Sequence, residues 1–169
     1  NDPIVQEFLM DITNNDEYTF PIINCIMNGT TSDLDISEET EILLTTVRKI
    51  LYKLHDAGIA TYKKAKDPKT KVDISVWNFE ELKMFDIITK KYENISNDIE
   101  KSILYEKENM FFTCTTNGHR YIFEKASIYN FLCPKCGESL EFQDNSNIIA
   151  DLIKEKDKCN SMGKLKLEK

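Results

Sequence analysis

The run Cys133-Pro134-Lys135-Cys136-Gly137 constrains the fold of this chain more than any other stretch. In a C-P-x-C-G turn, backbone N–H groups point at the two thiolates, and the glycine relieves the backbone at the tight end. Two cysteines at this spacing can hold one side of a zinc ion, with Zn–S bonds of about 2.3 Å. The second half of such a site is expected roughly 15–20 residues upstream. The C-terminal part of the chain is therefore predicted to fold around a metal ion.

The upstream half is found in Cys114-Thr115-Thr116-Asn117-Gly118, where an asparagine stands in the place of the second cysteine. His119 could supply a nitrogen and complete a set of three cysteines and one histidine, which structural zinc sites permit. The amide oxygen of Asn117 is a poorer ligand for zinc, and a degenerate ribbon without metal is a third alternative. We expect one structural zinc held by at least Cys114, Cys133 and Cys136, because about 30 residues bury too little to fold alone.

The N-terminal half combines four helical patterns with two strand-like runs. Apolar spacing and end signals predict helices over 3–13, 18–28, 33–40 and 42–57. The last of these has the clearest stripe, formed by Leu44, Val47, Ile50, Leu51 and Leu54. Two strands over 59–66 and 72–79 follow, joined by the turn sequence DPKTK. This order predicts a winged helix-turn-helix, in which the hairpin is the wing.

The chain as a whole is predicted to be an α+β protein with successive modules. We expect a winged-helix domain over 1–78, a linker helix over 79–109 and a zinc-ribbon-like β module over 110–143. The remainder, 144–169, is expected to begin with a short helix in the stretch NIIADLIKEK (147–156) and to end in a mobile charged tail. The linker helix carries a heptad-like seam formed by Phe85, Ile88, Tyr92, Ile95 and Ile99. That seam either lies on its own domain or also meets a partner protein.

The distribution of charge is uneven. The net charge is −7, which argues against a protein that coats nucleic acid through many phosphate contacts. Residues 43–78 nevertheless contain eight basic residues and three acidic ones. Five lysines of the predicted wing are candidates for contact with nucleic acid, namely Lys63, Lys64, Lys66, Lys69 and Lys71. Trp77 is interpreted as a core residue in preference to a base-stacking one.

Signatures of catalysis and of membrane insertion are not found in the sequence. It contains no phosphate-binding glycine loop, no nucleophile elbow and no H-E-x-x-H motif, and it has only two histidines. No apolar run approaches the ~20 residues that span a bilayer. The first residues resemble no secretory signal. We therefore expect an intracellular, cytoplasmic protein that is not an enzyme.

Two parts of the sequence are distinctive: the first is LLTTVRKILYKLHDAGIATYKKAKD with the later SVWNF, and the second consists of FFTC, RYIFEKA and FLCPKCGESLEF. Both resemble the archaeal transcription factor E family, which is homologous to the alpha subunit of eukaryotic TFIIE. The order of these stretches is also that of the family. The chain departs from it at Asn117, where the family usually has a cysteine.

The resemblance implies a function in transcription initiation. Members of this family help RNA polymerase open promoter DNA, together with the TATA-binding protein and transcription factor B. Their winged helix lies on the polymerase clamp near the upstream edge of the bubble and the non-template strand, and their ribbon lies toward the stalk. In some lineages a beta subunit pairs with the winged helix. The alternatives are a sequence-specific winged-helix repressor with a metal-binding ribbon, and a ribbon-containing subunit of a nucleic-acid enzyme.

Overall fold

The computed structural model describes residues 2–164 and shows a mixed fold of helices and small antiparallel sheets. The chain divides into two compact units, the first ending at Thr89 and the second beginning at Lys90. The elements are α1 (Pro3–Thr13), α2 (Thr19–Met27), α3 (Asp33–Thr40), α4 (Leu44–Asp56), β1 (Ala60–Lys66), β2 (Asp73–Phe79), α5 (Glu81–Glu108), β3 (Phe111–Cys114), β4 (Arg120–Ile122), α6 (Phe123–Ile128), β5 (Leu140–Gln143) and α7 (Ser146–Met162). None of the helices within residues 2–164 is long and apolar enough to cross a membrane.

Local capping sets the ends of the first helix. The Asp2 carboxylate accepts a hydrogen bond from the Ile4 N–H at 2.8 Å, and Pro3 occupies the first turn, where its missing N–H costs nothing. The helix ends at Asn14, which adopts the left-handed conformation with a φ of 58°. These are local signals, and the helix predicted over 3–13 is confirmed.

The core of the first unit is built on α4. Val47, Ile50, Leu51 and Leu54 are all 0% exposed, so the predicted apolar stripe is the buried face of this helix. Helices α1 and α3 pack against α4, and β1 follows it directly. The strands β1 and β2 pair as an antiparallel hairpin, and a short bridge between Ser32 and Val76 adds a third segment beside β2.

A buried carboxylate links three elements of this unit. Asp33 at the start of α3 is 1% exposed. Its carboxylate accepts hydrogen bonds from the Arg48 Nε on α4 at 2.7 Å and from the backbone N–H of Ser75 on β2 at 3.1 Å. Since a buried carboxylate is stable only when it is paired, these contacts fix the hairpin against the helices.

In the second unit, β3 is the central strand of a three-stranded sheet with the order β4-β3-β5. Phe112 lies opposite Tyr121 on one neighbour and opposite Phe142 on the other. A small core of Cys114, Tyr121, Ala126, Cys133 and Leu140 forms around this sheet. The segment 110–143 also contains the helix α6, which the strand-like composition did not predict.

The C-terminal helix α7 is longer than the sequence indicates. Residues 157–162, which the sequence predicts as part of a mobile tail, continue the helix to Met162. Ser96 on α5 donates a hydrogen bond to the Asn160 side chain at 2.7 Å, and Lys156 pairs with Glu100. The rest of the predicted tail, 165–169, lies outside the described residues.

Packing of the second half of α5 also departs from the predicted seam. Ile95 is 37% exposed, whereas Ser96 and Ile103 are buried. The buried face is therefore rotated from the heptad-like stripe and includes Ser96, whose hydroxyl donates a hydrogen bond to Asn160 on α7.

An ion pair anchors the small sheet to α5. The guanidinium of Arg120 donates to both carboxylate oxygens of Glu106 at 2.7 and 2.6 Å, and it lies 3.6 Å from the centroid of the Phe111 ring. The side chain of Asn145 donates to Glu106 as well. The Arg120 hydrogen bonds lower the pKa of the Glu106 carboxyl, although burial opposes the shift. This cluster holds β4 and the start of α7 at the end of α5.

Replacing Glu106 with glutamine is expected to destabilise the second unit by about 2 kcal/mol at pH 7, because it leaves Arg120 without its charged partner. Folding lowers the pKa of Glu106, so the ionised carboxylate stabilises the fold. This stabilisation is fully present above the pKa of an unfolded glutamate, about 4.3, and is lost as the pH falls through the lower pKa that Glu106 has in the folded protein. The measurement is denaturant unfolding of both proteins across this pH range. Their difference should shrink in acid, and Glu108→Gln, an exposed glutamate on the same helix, should show little change at any pH.

Candidate metal centre and basic hairpin

The first cysteine turn begins where β3 ends. The N–H of Gly118, whose φ is +68°, donates to the carbonyl of Cys114 at 3.0 Å. The N–H of Cys114 in turn donates to the carbonyl of His119 at 2.9 Å. Because glycine adopts a positive φ without strain, this turn closes tightly, and the side chain of Asn117 lies against the sulfur atoms of Cys133 and Cys136.

The second cysteine turn repeats this backbone pattern. The N–H of Gly137, with a φ of +79°, donates to the carbonyl of Cys133 at 2.8 Å, and the N–H of Cys133 donates to the carbonyl of Glu138 at 2.7 Å. The two turns are therefore built alike, and Asn117 in the first occupies the place that Cys136 has in the second.

The two turns bring three thiols together. The sulfur atoms of Cys114, Cys133 and Cys136 all lie within 4.8 Å of one another, and those of Cys114 and Cys136 are 3.4 Å apart. Cys114 and Cys133 are each 2% exposed, whereas Cys136 is exposed. A compact set of thiolates fits zinc, which prefers sulfur and nitrogen ligands in structural sites. These three cysteines could hold a metal ion.

Asn117 lies against two of the three thiols. Its side-chain Nδ2 lies 3.6 Å from the Cys133 sulfur and 3.2 Å from the Cys136 sulfur. Its Oδ1 accepts a hydrogen bond from the backbone N–H of His119 at 2.9 Å. Among the described residues, the group of ligand atoms that lie together does not include the His119 ring. The structure thus brings Asn117, and not the side chain of His119, to the thiols.

The thiols differ in their tendency to ionise. Burial opposes ionisation of Cys133, but hydrogen bonds from backbone N–H groups and from the Asn117 amide outweigh it and lower the pKa of Cys133 to about 6. For Cys136, a backbone N–H favours the thiolate, yet the neighbouring thiols and burial raise its pKa to about 11. Of these two thiols Cys133 is therefore the more readily ionised, and binding of a cation would favour ionisation of the thiols in the cluster.

Tyr121 is a neighbour of the thiols that the sequence did not single out. Its hydroxyl lies 3.6 Å from the Cys133 sulfur, and this hydrogen bond, with burial, raises the pKa of Tyr121 to about 12. Alternation along β4 places Tyr121 inside, between half-buried residues on either side. In a strand of three residues only one position alternates with its neighbours, and a pattern this short does not predict such a contact.

The basic hairpin presents all five predicted lysines to solvent. Three belong to β1 and two to the turn that follows it: Lys63, Lys64, Lys66, Lys69 and Lys71. The Lys64 ammonium donates to the Ser75 hydroxyl at 3.1 Å and lies 5.4 Å from the centroid of the Tyr62 ring. These lysines form an exposed cationic surface with few acidic neighbours, apart from Asp67 in the turn and Asp73 opposite Lys66.

Trp77 lies beneath this surface. It is 1% exposed, and its ring packs at 4.7 Å from the ring of Tyr62 and at 5.5 Å from that of Tyr52. This burial agrees with the interpretation of Trp77 as a core residue. Tyr52, by contrast, is 39% exposed.

The basic residues of α4 are occupied by contacts inside the first unit. Arg48 pairs with Asp33, and the Lys53 ammonium donates to the backbone carbonyl of Thr13 at 3.0 Å. Lys49 lies 3.9 Å from the carboxylate of Asp16. Each of these three cations has a partner inside the unit, whereas on the hairpin an ion pair is described only for Lys66, with Asp73.

Comparison with known proteins defines the class of protein to which these features belong. Residues 3–108 match the family model described as the TFIIE alpha subunit, which identifies a transcription initiation factor. The protein named transcription factor E from Methanosphaera stadtmanae is 41% identical over 154 residues, which cover 91% of this chain and 86% of the relative. The one from Methanobrevibacter smithii is 41% identical over 152 residues, which cover 90% of this chain and 87% of the relative. The relative from Methanocaldococcus jannaschii is 40% identical over 153 residues, or 90% of this chain and 88% of its own length. The chain belongs to the transcription factor E family, and the resemblance seen in the sequence is confirmed.

Proposed function

We propose that this chain is a basal initiation factor that binds RNA polymerase at the clamp and helps promoter DNA to open and to stay open. Family membership over nine-tenths of the chain is the observation that carries this proposal. The factor catalyses no reaction. It acts by binding the open state of the clamp and DNA more tightly than the closed state, which is how any ligand shifts such an equilibrium.

The first unit supplies a winged helix in this proposal. Support comes from the order of three short helices, the buried helix α4 and the hairpin, together with the short third segment at Ser32. We assign residues 1–78 to this domain, 79–109 to a linker helix, 110–143 to a zinc-ribbon-like domain, and 144–169 to a C-terminal helix and tail.

The hairpin lysines contact separated DNA strands in this proposal, near the upstream edge of the bubble and mainly on the non-template strand. Exposed ammonium groups on a hairpin suit the phosphates of a flexible strand. The basic side chains of α4 are held by Asp33, Asp16 and a backbone carbonyl, so they are poorly placed to read base edges. This arrangement favours an initiation factor over a sequence-specific repressor.

The second unit supplies a protein contact. One structural zinc held by Cys114, Cys133 and Cys136 would stabilise the small sheet. The aromatic side chains beside that sheet remain partly open to solvent: Phe142 is 62% exposed and Phe123 is 40% exposed. We propose that this face lies toward the polymerase stalk. The TATA-binding protein and transcription factor B would act in the same complex, and a beta subunit is a further partner of the first unit.

A promoter-opening assay tests this function. Purified archaeal polymerase, TATA-binding protein and transcription factor B are mixed with promoter DNA, and unpaired thymines are measured by permanganate reactivity. The full chain should co-purify with the polymerase and increase the reactivity. Replacing the five hairpin lysines with glutamine should retain polymerase binding but lower the stimulation roughly tenfold, because several phosphate contacts are lost.

The matched control replaces five exposed lysines of the second unit with glutamine: Lys101, Lys107, Lys125, Lys154 and Lys158. It should stimulate opening nearly as the unchanged protein does. Absence of polymerase binding at several salt concentrations would contradict the proposal. Tight binding to duplex DNA alone, with a palindromic footprint, would instead identify a repressor.

A further inference from the structure

The site of the three thiols has an unusual residue at the position where a fourth metal ligand is expected. Asn117 stands where the equivalent turn has Cys136, so the backbone carries its side chain to the open side of the cluster, next to the place of a fourth ligand. The cysteine in the second turn offers a sulfur that can bind a cation. The asparagine offers an amide, which can present either its oxygen or its nitrogen.

The hydrogen bonds of Asn117 show which atom faces the thiols. Its Oδ1 is held by the N–H of His119 at 2.9 Å, while its Nδ2 faces the sulfurs of Cys133 and Cys136. In a side-chain amide the nitrogen lone pair is delocalised into the carbonyl, so the NH2 group donates hydrogen bonds and does not bind a metal ion. Turning the amide over would break the bond to His119 and both N–H···S contacts at once. The contacts therefore favour an asparagine that donates to thiolates and does not bind the metal.

We propose that the metal centre of this chain has only three protein ligands, the thiolates of Cys114, Cys133 and Cys136, and that its fourth position is an exchangeable site for a small soft donor such as a low-molecular-weight thiol. This proposal deepens the metal-binding part of the proposed function and does not depend on binding to polymerase. Asn117 acts beside the metal as a positioning residue, whose N–H groups orient two thiolates and offset their negative charge.

Access to the fourth position supports this choice of ligand. Asn117 and Cys136 are both exposed, whereas the other two cysteines are buried, so the open side of the cluster faces solvent. A small thiol can reach this side, and thiolates match the softness of a metal already bound by sulfur. Structural zinc usually has four protein ligands, so a centre with three should take one more donor from solution.

Cobalt(II) substitution of the full chain tests the proposal, because its visible absorption depends on the number of thiolate ligands. The metal-free protein is titrated with Co(II) under anaerobic conditions with a reductant that is not a thiol. Added 2-mercaptoethanol should shift the spectrum of the unchanged protein toward that of Asn117→Cys, which supplies a fourth thiolate. The Asn117→Cys protein should itself be insensitive to the added thiol.

Two further variants separate the roles of the neighbouring residues. Asn117→Ala should keep the same absorption bands but bind Co(II) roughly 10- to 100-fold more weakly, because it loses only the supporting hydrogen bonds. His119→Ala should keep the spectrum and the affinity, since only its backbone takes part.

Three outcomes would overturn the proposal. A changed spectrum in Asn117→Ala would make the amide a ligand, and a changed spectrum in His119→Ala would make the imidazole one. A spectrum of the unchanged protein that does not respond to the thiol would exclude an exchangeable position. Failure to bind Co(II) at all would remove the metal centre itself, and the promoter-opening assay would still decide the proposed function separately.

Discussion

Replacing Cys133 with serine is expected to abolish metal binding and to unfold the small sheet of the second unit while the first unit stays folded. Cys133 is 2% exposed and contributes both a sulfur to the cluster and a side chain to the core around Tyr121. A hydroxyl is a poor ligand for a soft metal, and structural zinc in small domains supplies an apparent free energy of about 10–16 kcal/mol at pH 7. The second unit has too little apolar core to replace that contribution.

The two units can be followed separately in this experiment. The chain has a single tryptophan, Trp77, which lies in the first unit, so its fluorescence reports unfolding of that unit alone. The metal content should fall from about one equivalent to near zero, as expected for a single structural zinc site. The midpoint of the Trp77 transition should stay where it is. Amide hydrogen exchange should lose its protection in β3, β4 and β5.

Cys159→Ser is the matched control for this variant. Cys159 lies on α7 and is not among the described residues whose ligand atoms cluster. The Cys159→Ser protein should retain its bound metal and the protection of the amides of β3, β4 and β5 from hydrogen exchange. Simultaneous loss of the Trp77 transition in Cys133→Ser would contradict the separation into two independently stable units.

Replacing Trp77 with alanine is expected to destabilise the first unit by about 3–5 kcal/mol, the cost of removing a large aromatic side chain from a packed core. Trp77 is 1% exposed and touches the rings of Tyr52, Tyr62 and His55. The cavity would lie between α4 and the hairpin, so the variant should also loosen the lysine surface. Denaturant unfolding followed by circular dichroism measures the change.

Two variants show whether packing or hydrogen bonding gives Trp77 its effect. Within the described residues, the indole Nε1 of Trp77 is buried without a hydrogen-bond partner. Trp77→Phe should therefore cost only about 1–2 kcal/mol, since it removes volume but no hydrogen bond. Tyr18→Ala, at a side chain that is 41% exposed, should cost less than about 1 kcal/mol. An equal decrease in the free energy of unfolding of all three variants would argue against a packed core at Trp77.

Elements with local signals were predicted well from the sequence. The helix over 3–13 is confirmed because its end signals are local: Pro3 is its first residue, and the cap at Asp2 and the left-handed Asn14 adjoin its two ends. The stripe of α4 is buried as its spacing indicates, although Leu44 at its start is only half-buried. The length of α7 was missed because its last turns depend on contacts with Ser96 and Glu100, more than fifty positions earlier in the chain.

The candidate site, like α7, was predicted from the sequence only as far as local patterns reach. Spacing was enough to identify the three cysteines and to mark Asn117 as the odd member, because a turn of this type is a local pattern. Spacing could not choose between Asn117 and His119, since the choice depends on which way each side chain leaves the turn. The ion pair between Glu106 and Arg120 was likewise not predicted, because nothing in either local sequence marks the other residue as its partner.

The amide at position 117 also has a consequence for how this chain can change. No codon for asparagine becomes a codon for cysteine by a single base substitution, and the shortest routes pass through serine or tyrosine. Either intermediate would lose the N–H groups that now support two of the sulfurs without yet gaining a fourth sulfur. A lineage with this asparagine would therefore have to cross a state that holds its metal less firmly than either end of the path.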